Sequence, residues 1–156
     1  MHCPIMNNFS ITPATEKELD WAAGLMASSE PWTTLGITPE QCFNDCHHKW
    51  NLVFIAHLIQ VPCGMVILQD RGVAGSPYIK SIAVDPGYRN KGIGKALLQF
   101  AEDKYRPGSK HIFLCVSSFN KQAQKFYREN GYDVSGELKD YIVSGHSEIL
   151  MHKRLH

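Results

Sequence analysis

The stretch from Ile82 to Gly94 constrains this chain more than any other. A β-branched run, Ile82-Ala83-Val84, meets the turn Asp85-Pro86-Gly87, and Arg89-Asn90-Lys91-Gly92-Ile93-Gly94 then opens a helix. The helix is legible from its apolar stripe: counted from Ile93, Leu97, Phe100, Ala101 and Tyr105 fall at offsets of 4, 7, 8 and 12, one face of a 3.6-residue period. A strand that feeds a helix through such a turn leaves the first helical amides without intrahelical partners, and they point at whatever lies before the helix. An anion suits that place, and phosphate is the natural one. Gly92 and Gly94 let backbone approach the oxygens with no Cβ in the way, while Arg89, Lys91 and Lys95 add positive charge.

Spacing tests two familiar phosphate loops. Gly87 and Gly92 satisfy the first half of G-x-x-x-x-G-K-S/T, but Ile93 and Gly94 stand where the lysine and the hydroxyl residue belong. Gly92-Ile93-Gly94 begins G-x-G-x-x-G, yet Leu97 takes the third glycine position and the preceding strands form no amino-terminal βαβ unit. Neither a triphosphatase nor a dinucleotide loop fits.

Segments on either side carry the reading further. Thr15-Glu16-Lys17-Glu18 and Thr38-Pro39-Glu40-Gln41 are capping boxes, the second with proline at the first helical position. They predict one helix after a short strand at Phe9–Thr12 and another running to about Trp50. Leu52–Ile59 and Gly64–Leu68 read as an antiparallel hairpin across Gln60-Val61-Pro62-Cys63, and Tyr78–Val84 as a third run. Pro107-Gly108 ends the stripe helix. His111–Val116 is the next strand, Asn120 caps a helix that Gly131 terminates, and Tyr132–Leu138 and His146–Lys153 are the last strands.

In that setting the loop resembles the coenzyme A signature of GNAT N-acetyltransferases: Gln or Arg, two residues, Gly, one residue, then Gly or Ala. Ile82-Ala83-Val84-Asp85-Pro86-Gly87-Tyr88 matches the strand and turn before the family's loop. Asn120, Ala123, Phe126, Tyr127, Asn130, Gly131 and Tyr132 match its last helix, in order and spacing. The match runs from Tyr78 to Tyr132, and the carboxy-terminal half is most similar to ribosomal-protein-alanine acetyltransferases. The resemblance implies an α/β fold: a central, mixed, mostly antiparallel sheet of about six or seven strands, helices on both faces and a splay between its two parallel central strands. It implies acetyl-coenzyme A as donor, its pyrophosphate on Arg89, Asn90, Lys91, Gly92, Ile93, Gly94 and Lys95. The pantetheine arm would pair with the backbone along Ile82, Ala83 and Val84, be reached by Asn120, and be flanked by Ala123 and Phe126.

Acyl transfer to an amine needs a neutral nucleophile, support for the oxyanion and a proton for the departing thiolate. By the resemblance Tyr127 lies near the sulfur and donates the proton, and the Val84 amide supports the oxyanion. The base is harder to place. Many relatives carry a glutamate on the strand that here has Tyr78 and Lys80, and ribosomal-protein-alanine acetyltransferases carry one where this chain has Cys115. Glu30, beside Pro31 and Trp32, and Glu148, on the last strand, are the remaining candidates, with Glu30, Trp32, Tyr78 and Tyr141 as acceptor lining. A coenzyme A-binding module without catalysis is the alternative that the missing strand glutamate leaves open.

The rest of the composition sets bounds. At 156 residues, 44% hydrophobic, the chain suits one N-acetyltransferase domain over 1–156. Sixteen Lys and Arg against fifteen Asp and Glu leave +1, which favours neither nucleic acid nor a membrane as partner. Met1–Ser10 lacks a basic, apolar leader, so the expected location is cytoplasmic. Among relatives dimers are common, which makes a homodimer an open possibility. Cys3, Cys42, Cys46, Cys63 and Cys115 are odd in number and scattered, as reduced thiols are. Cys42 and Cys46 could face one way on a helix beside His47 and His48, but no second pair at zinc spacing follows; half-buried thiols, and no metal, are expected. His47, His48, His57, His111 and His146 are too dispersed to assign.

Overall fold

The structure, a computed structural model, describes residues 8–156. Cys3 and most of the stretch read for a leader lie outside the described residues. Along the chain run β1 (Phe9–Pro13), α1 (Glu16–Ala27), α2 (Trp32–Leu35), α3 (Pro39–His47), β2 (Leu52–Leu58), β3 (Val61–Val73), β4 (Ser76–Val84), α4 (Ile93–Tyr105), β5 (His111–Ser117), α5 (Lys121–Glu129), β6 (Asp133–Leu138) and β7 (Glu148–Arg154). The strands form one seven-stranded sheet in the order β1-β2-β3-β4-β5-β7-β6. β1–β2, β2–β3, β5–β7 and β6–β7 are antiparallel, and β4–β5 is parallel. This is the mixed, mostly antiparallel sheet that the resemblance implies.

By packing the chain divides into two compact units, one of the residues up to Leu68 with Ser81–Ala101, the other of Gln69–Lys80 with Glu102–His156. In the first, both capping boxes form as read: Thr15 Oγ1 accepts from the Glu18 amide at 3.3 Å, and Thr38 Oγ1 from the Gln41 amide at 3.1 Å. The strand alternation sends Val53, Ile55, Met65 and Ile67 to one face, where they bury against Ala22, Ala23, Leu25 and Met26 of α1 and Cys42 and Cys46 of α3. The opposite face receives α4: Phe54 meets Phe100 with ring centroids 4.8 Å apart. A Cβ on Gly64 would stand 3.0 Å from Ile93 Cγ2 and 3.2 Å from Leu97 Cδ1, so the bare backbone there is what lets the helix lie close.

Several boundaries differ from the sequence reading; β3, for one, runs on to Val73 instead of ending at Leu68, and β7 starts at Glu148 instead of His146. The hairpin turns at Ile59 and Gln60, both left-handed at φ 51° and 62°, so β3 starts at Val61 rather than Gly64. Left-handed pairs of this kind match the twist of hairpin strands, and neither residue is of a type that advertises it. α3 stops at His47, where His48 turns extended, instead of reaching Trp50. Trp32–Leu35, read as loop, makes one helical turn closed by left-handed Gly36. The thiols of Cys42 and Cys46 are also buried fully, not by half: Cys46 Sγ lies 3.7 Å from Met26 Sδ, and burial pushes that thiol up to about 12.

In the second unit Ile112, Leu114, Val116 and Met151 fill one face of β5 and β7. The buried Glu102 carboxylate receives Lys153 Nζ at 2.6 Å and the Tyr132 hydroxyl at 3.2 Å, and Lys153 also donates to the Asn130 carbonyl at 3.0 Å. One charge pair thus ties α4 to β7 and to the end of α5.

Candidate active site

In the first unit, Asp85 shapes the entry to the glycine loop. Its amide donates to the Cys63 carbonyl at 2.9 Å, and its carboxylate accepts from the Gly87 amide at 2.9 Å. Two left-handed residues follow, Asn90 at φ 63° and Gly92 at φ 83°. Gly92 is required by that angle, and Asn90 is the commonest non-glycine solution to it. The first intrahelical bond of α4 runs from the Ala96 amide to the Gly92 carbonyl, 3.0 Å. The amides of Ile93, Gly94 and Lys95 precede it and have no carbonyl of the helix to bond. Arg89, Asn90, Lys91 and Lys95 are exposed around them. The arrangement can receive a doubly charged phosphate group: three helical amides, the positive end of a 13-residue helix and three cations.

In the second unit, strand register assembles a polar cluster that no spacing in the sequence reveals. Ser117 on β5 lies directly opposite Glu148 on β7. Both are buried, Glu148 at 8% exposure and Ser117 at 1%, yet Glu148 Oε2 and Ser117 Oγ have no hydrogen-bond partner. Burial raises the Glu148 carboxyl above its ordinary range; Ser117 offsets part of this, although its geometry falls short of a hydrogen bond. Two residues along the same face, the Tyr78 hydroxyl lies beside the Cys115 thiol. Burial, Cys115 and Glu148 all keep the Tyr78 phenol protonated, and burial raises the Cys115 thiol. Buried polar atoms are paired in more than about nine cases in ten, so two orphans facing each other stand out. Sequence reading named Glu148, Tyr78 and Cys115 separately and missed Ser117.

Also in the second unit, Asn120 caps α5 as read, Oδ1 accepting from the Ala123 amide at 3.1 Å. Phe126 packs beside Tyr127 at 5.4 Å between centroids, and Tyr127 meets Tyr132 edge-on at 6.0 Å. Burial keeps the Tyr127 phenol protonated, the form that a proton donor needs. Of the other sequence candidates, Tyr141 is 67% exposed, and Trp32 packs at the edge of the first unit's core. Glu30 is exposed, and its carboxylate accepts from Thr33, which with Thr34 holds it below the usual carboxylate range.

The chain matches the Acetyltransferase (GNAT) family over residues 17–132 and belongs to it. Acetyltransferase activity is what that family description names. Streptothricin acetyltransferase of Streptomyces lavendulae is 41% identical over 59 residues, 37% of this chain; the chain spans 31% of that relative's length. Among solved structures, the ribosomal-protein-S18-alanine N-acetyltransferase from Escherichia coli superposes with a TM-score of 0.75 over 94% of each chain at 22% identity. An aminoglycoside 6'-N-acetyltransferase complexed with coenzyme A does so at 0.76, over 94% of this chain and 97% of that one, at 13% identity. No helix among the described residues is long and apolar enough to cross a membrane.

Proposed function

We propose that this protein is one N-acetyltransferase domain that moves an acetyl group from acetyl-coenzyme A directly to a primary amine, with Glu148 taking the amine's proton. The orphaned Oε2 of a buried carboxyl carries the reading. An alkylammonium arrives mostly protonated, since its ordinary pKa is about 10. A carboxylate stripped of water accepts that proton more readily than an exposed one. Glu148 suits the task better than Glu30, whose hydrogen bonds hold its proton affinity down.

On the donor side, Arg89 to Lys95 hold the pyrophosphate. Within β4, Tyr78 and Ile79 are the residues in register with β5. Ile82 and Val84 lie beyond that register, which supports their backbone as the rail for the pantetheine arm. In this reading the Val84 amide supports the oxyanion, Asn120, Ala123 and Phe126 contact the arm, and Tyr127 returns a proton to the leaving thiolate. Tyr78 and Tyr141 contribute to the acceptor lining. The likeness of the carboxy-terminal half to ribosomal-protein-alanine acetyltransferases supports a protein amino terminus as one acceptor class, beside small amines.

Thiol release from acetyl-coenzyme A, measured across a panel of small amines and amino-terminal peptides, tests the proposal. Tyr127→Phe is expected to lower turnover by roughly 10²–10⁴-fold while coenzyme A affinity stays within a factor of about two. Tight coenzyme A binding with no turnover on any acceptor would establish a binding module instead.

A further inference from the structure

Histidines that are far apart in the chain meet in the fold. His111 on β5 and His152 on β7, 41 residues apart, bring Nδ1 and Nε2 to 2.7 Å. Their ring centroids are 4.8 Å apart at 38° between planes. Phe113, directly opposite His152, stacks on it at 5.0 Å and 28° and fixes that ring's orientation. Both imidazoles are partly buried, on the same face of the sheet as Cys115 and Ser117 but toward the other end of β5. They belong to no part of the proposed acyl-transfer machinery.

Two ring nitrogens at this distance hold one proton. Two lone pairs would repel, and so would two N–H groups. We propose that the pair is a chelate for a borderline divalent cation of the Zn²⁺ or Cu²⁺ class, the ion taking the place of the shared proton. Neutral imidazole is a preferred ligand for these ions. Metal–nitrogen bonds of 2.0–2.1 Å at a tetrahedral angle set the two nitrogens about 3.3 Å apart. The rings therefore need to separate by only about 0.6 Å from their present 2.7 Å. The backbone beneath is held by the ladder running from His111↔Arg154 to Ser117↔Glu148, so little freedom remains to be lost on binding.

The surrounding charges permit a cation. Asp133 on β6 lies opposite His152. Arg154, opposite His111, turns its Nε to the His156 carbonyl at 3.0 Å. Among the described residues no three His, Cys, Asp or Glu side chains converge. The chelate is thus open, with water completing the shell, unlike a closed structural zinc site.

Titration calorimetry of the reduced full chain with ZnCl₂ tests this, alongside His111→Gln and His152→Phe. The wild type is expected to bind one ion per chain through this pair, with affinity falling at least roughly tenfold in each variant. Its thermal midpoint should rise with ZnCl₂ while those of the variants do not. Circular dichroism establishes that each variant is folded; if one is not, the other decides. Zinc binding of equal strength in the wild type and a folded variant, as buried or exposed thiols alone would give, overturns the proposal, as does no binding by the wild type.

Discussion

Replacing Glu148 by glutamine keeps the shape of the side chain and removes its charge, which separates what this residue does for the fold from what it does for chemistry. The carboxyl is 8% exposed, has an unpartnered Oε2 and faces an equally unpartnered Ser117 Oγ. Its folded-state pKa is raised by burial above the ordinary 4.5. The native state therefore binds the proton more tightly than the unfolded chain does. Stability from this group is fully present below about 4.5 and is lost as pH rises through the raised value, with a slope of at most about 1.4 kcal/mol per pH unit. Above that window the wild type carries an unpaired buried charge, worth about 1–3 kcal/mol of destabilisation for an unsatisfied polar group. Glu148→Gln should then be more stable than wild type at pH 8 by an amount in that range, and the two should converge toward pH 4. Turnover should fall by roughly 10²–10⁴-fold with coenzyme A affinity unchanged. Urea denaturation from pH 4 to 8.5, run beside the thiol-release assay, gives both quantities. A variant less stable than wild type at pH 8, or one that keeps the wild-type pH slope, would refute the account of an uncompensated charge; unimpaired turnover would refute the assignment of the base.

Two further outcomes follow from the packing. Gly92→Glu puts a carboxylate on a left-handed residue at the mouth of α4, where nothing lies within 4 Å of a new Cβ; the expected loss of coenzyme A affinity is at least about 100-fold, and calorimetry showing unchanged affinity in the folded variant would sink the assignment of the loop. Lys153→Met strands the Glu102 carboxylate with the Tyr132 hydroxyl alone; a loss of about 3 kcal/mol is expected, at the low end for a buried pair because Lys153 retains 27% side-chain exposure, and denaturation should show Glu102→Leu in the same chain recovering most of it.

The features that could be read from the sequence are those whose cause lies within a few residues. The capping boxes at Thr15 and Thr38, the Asn120 cap, the stripe of α4 and the glycine loop each follow from local hydrogen-bonding needs or from a backbone angle, and each is found where it was expected. The hairpin was displaced by three residues because Ile59 and Gln60 adopt left-handed angles without the residue types that signal them.

By itself, then, the sequence determined the loop to which we assign the donor: its spacing excludes two other phosphate motifs, and it is carried on a strand and helix in the family's order. The tertiary structure decided the rest. Ser117 opposite Glu148, Tyr78 on Cys115, His111 against His152 and the burial of Cys42 and Cys46 all depend on segments distant in the chain. Which side chains meet across a sheet is set by register, and a shift of one residue would turn every one of them to the other face.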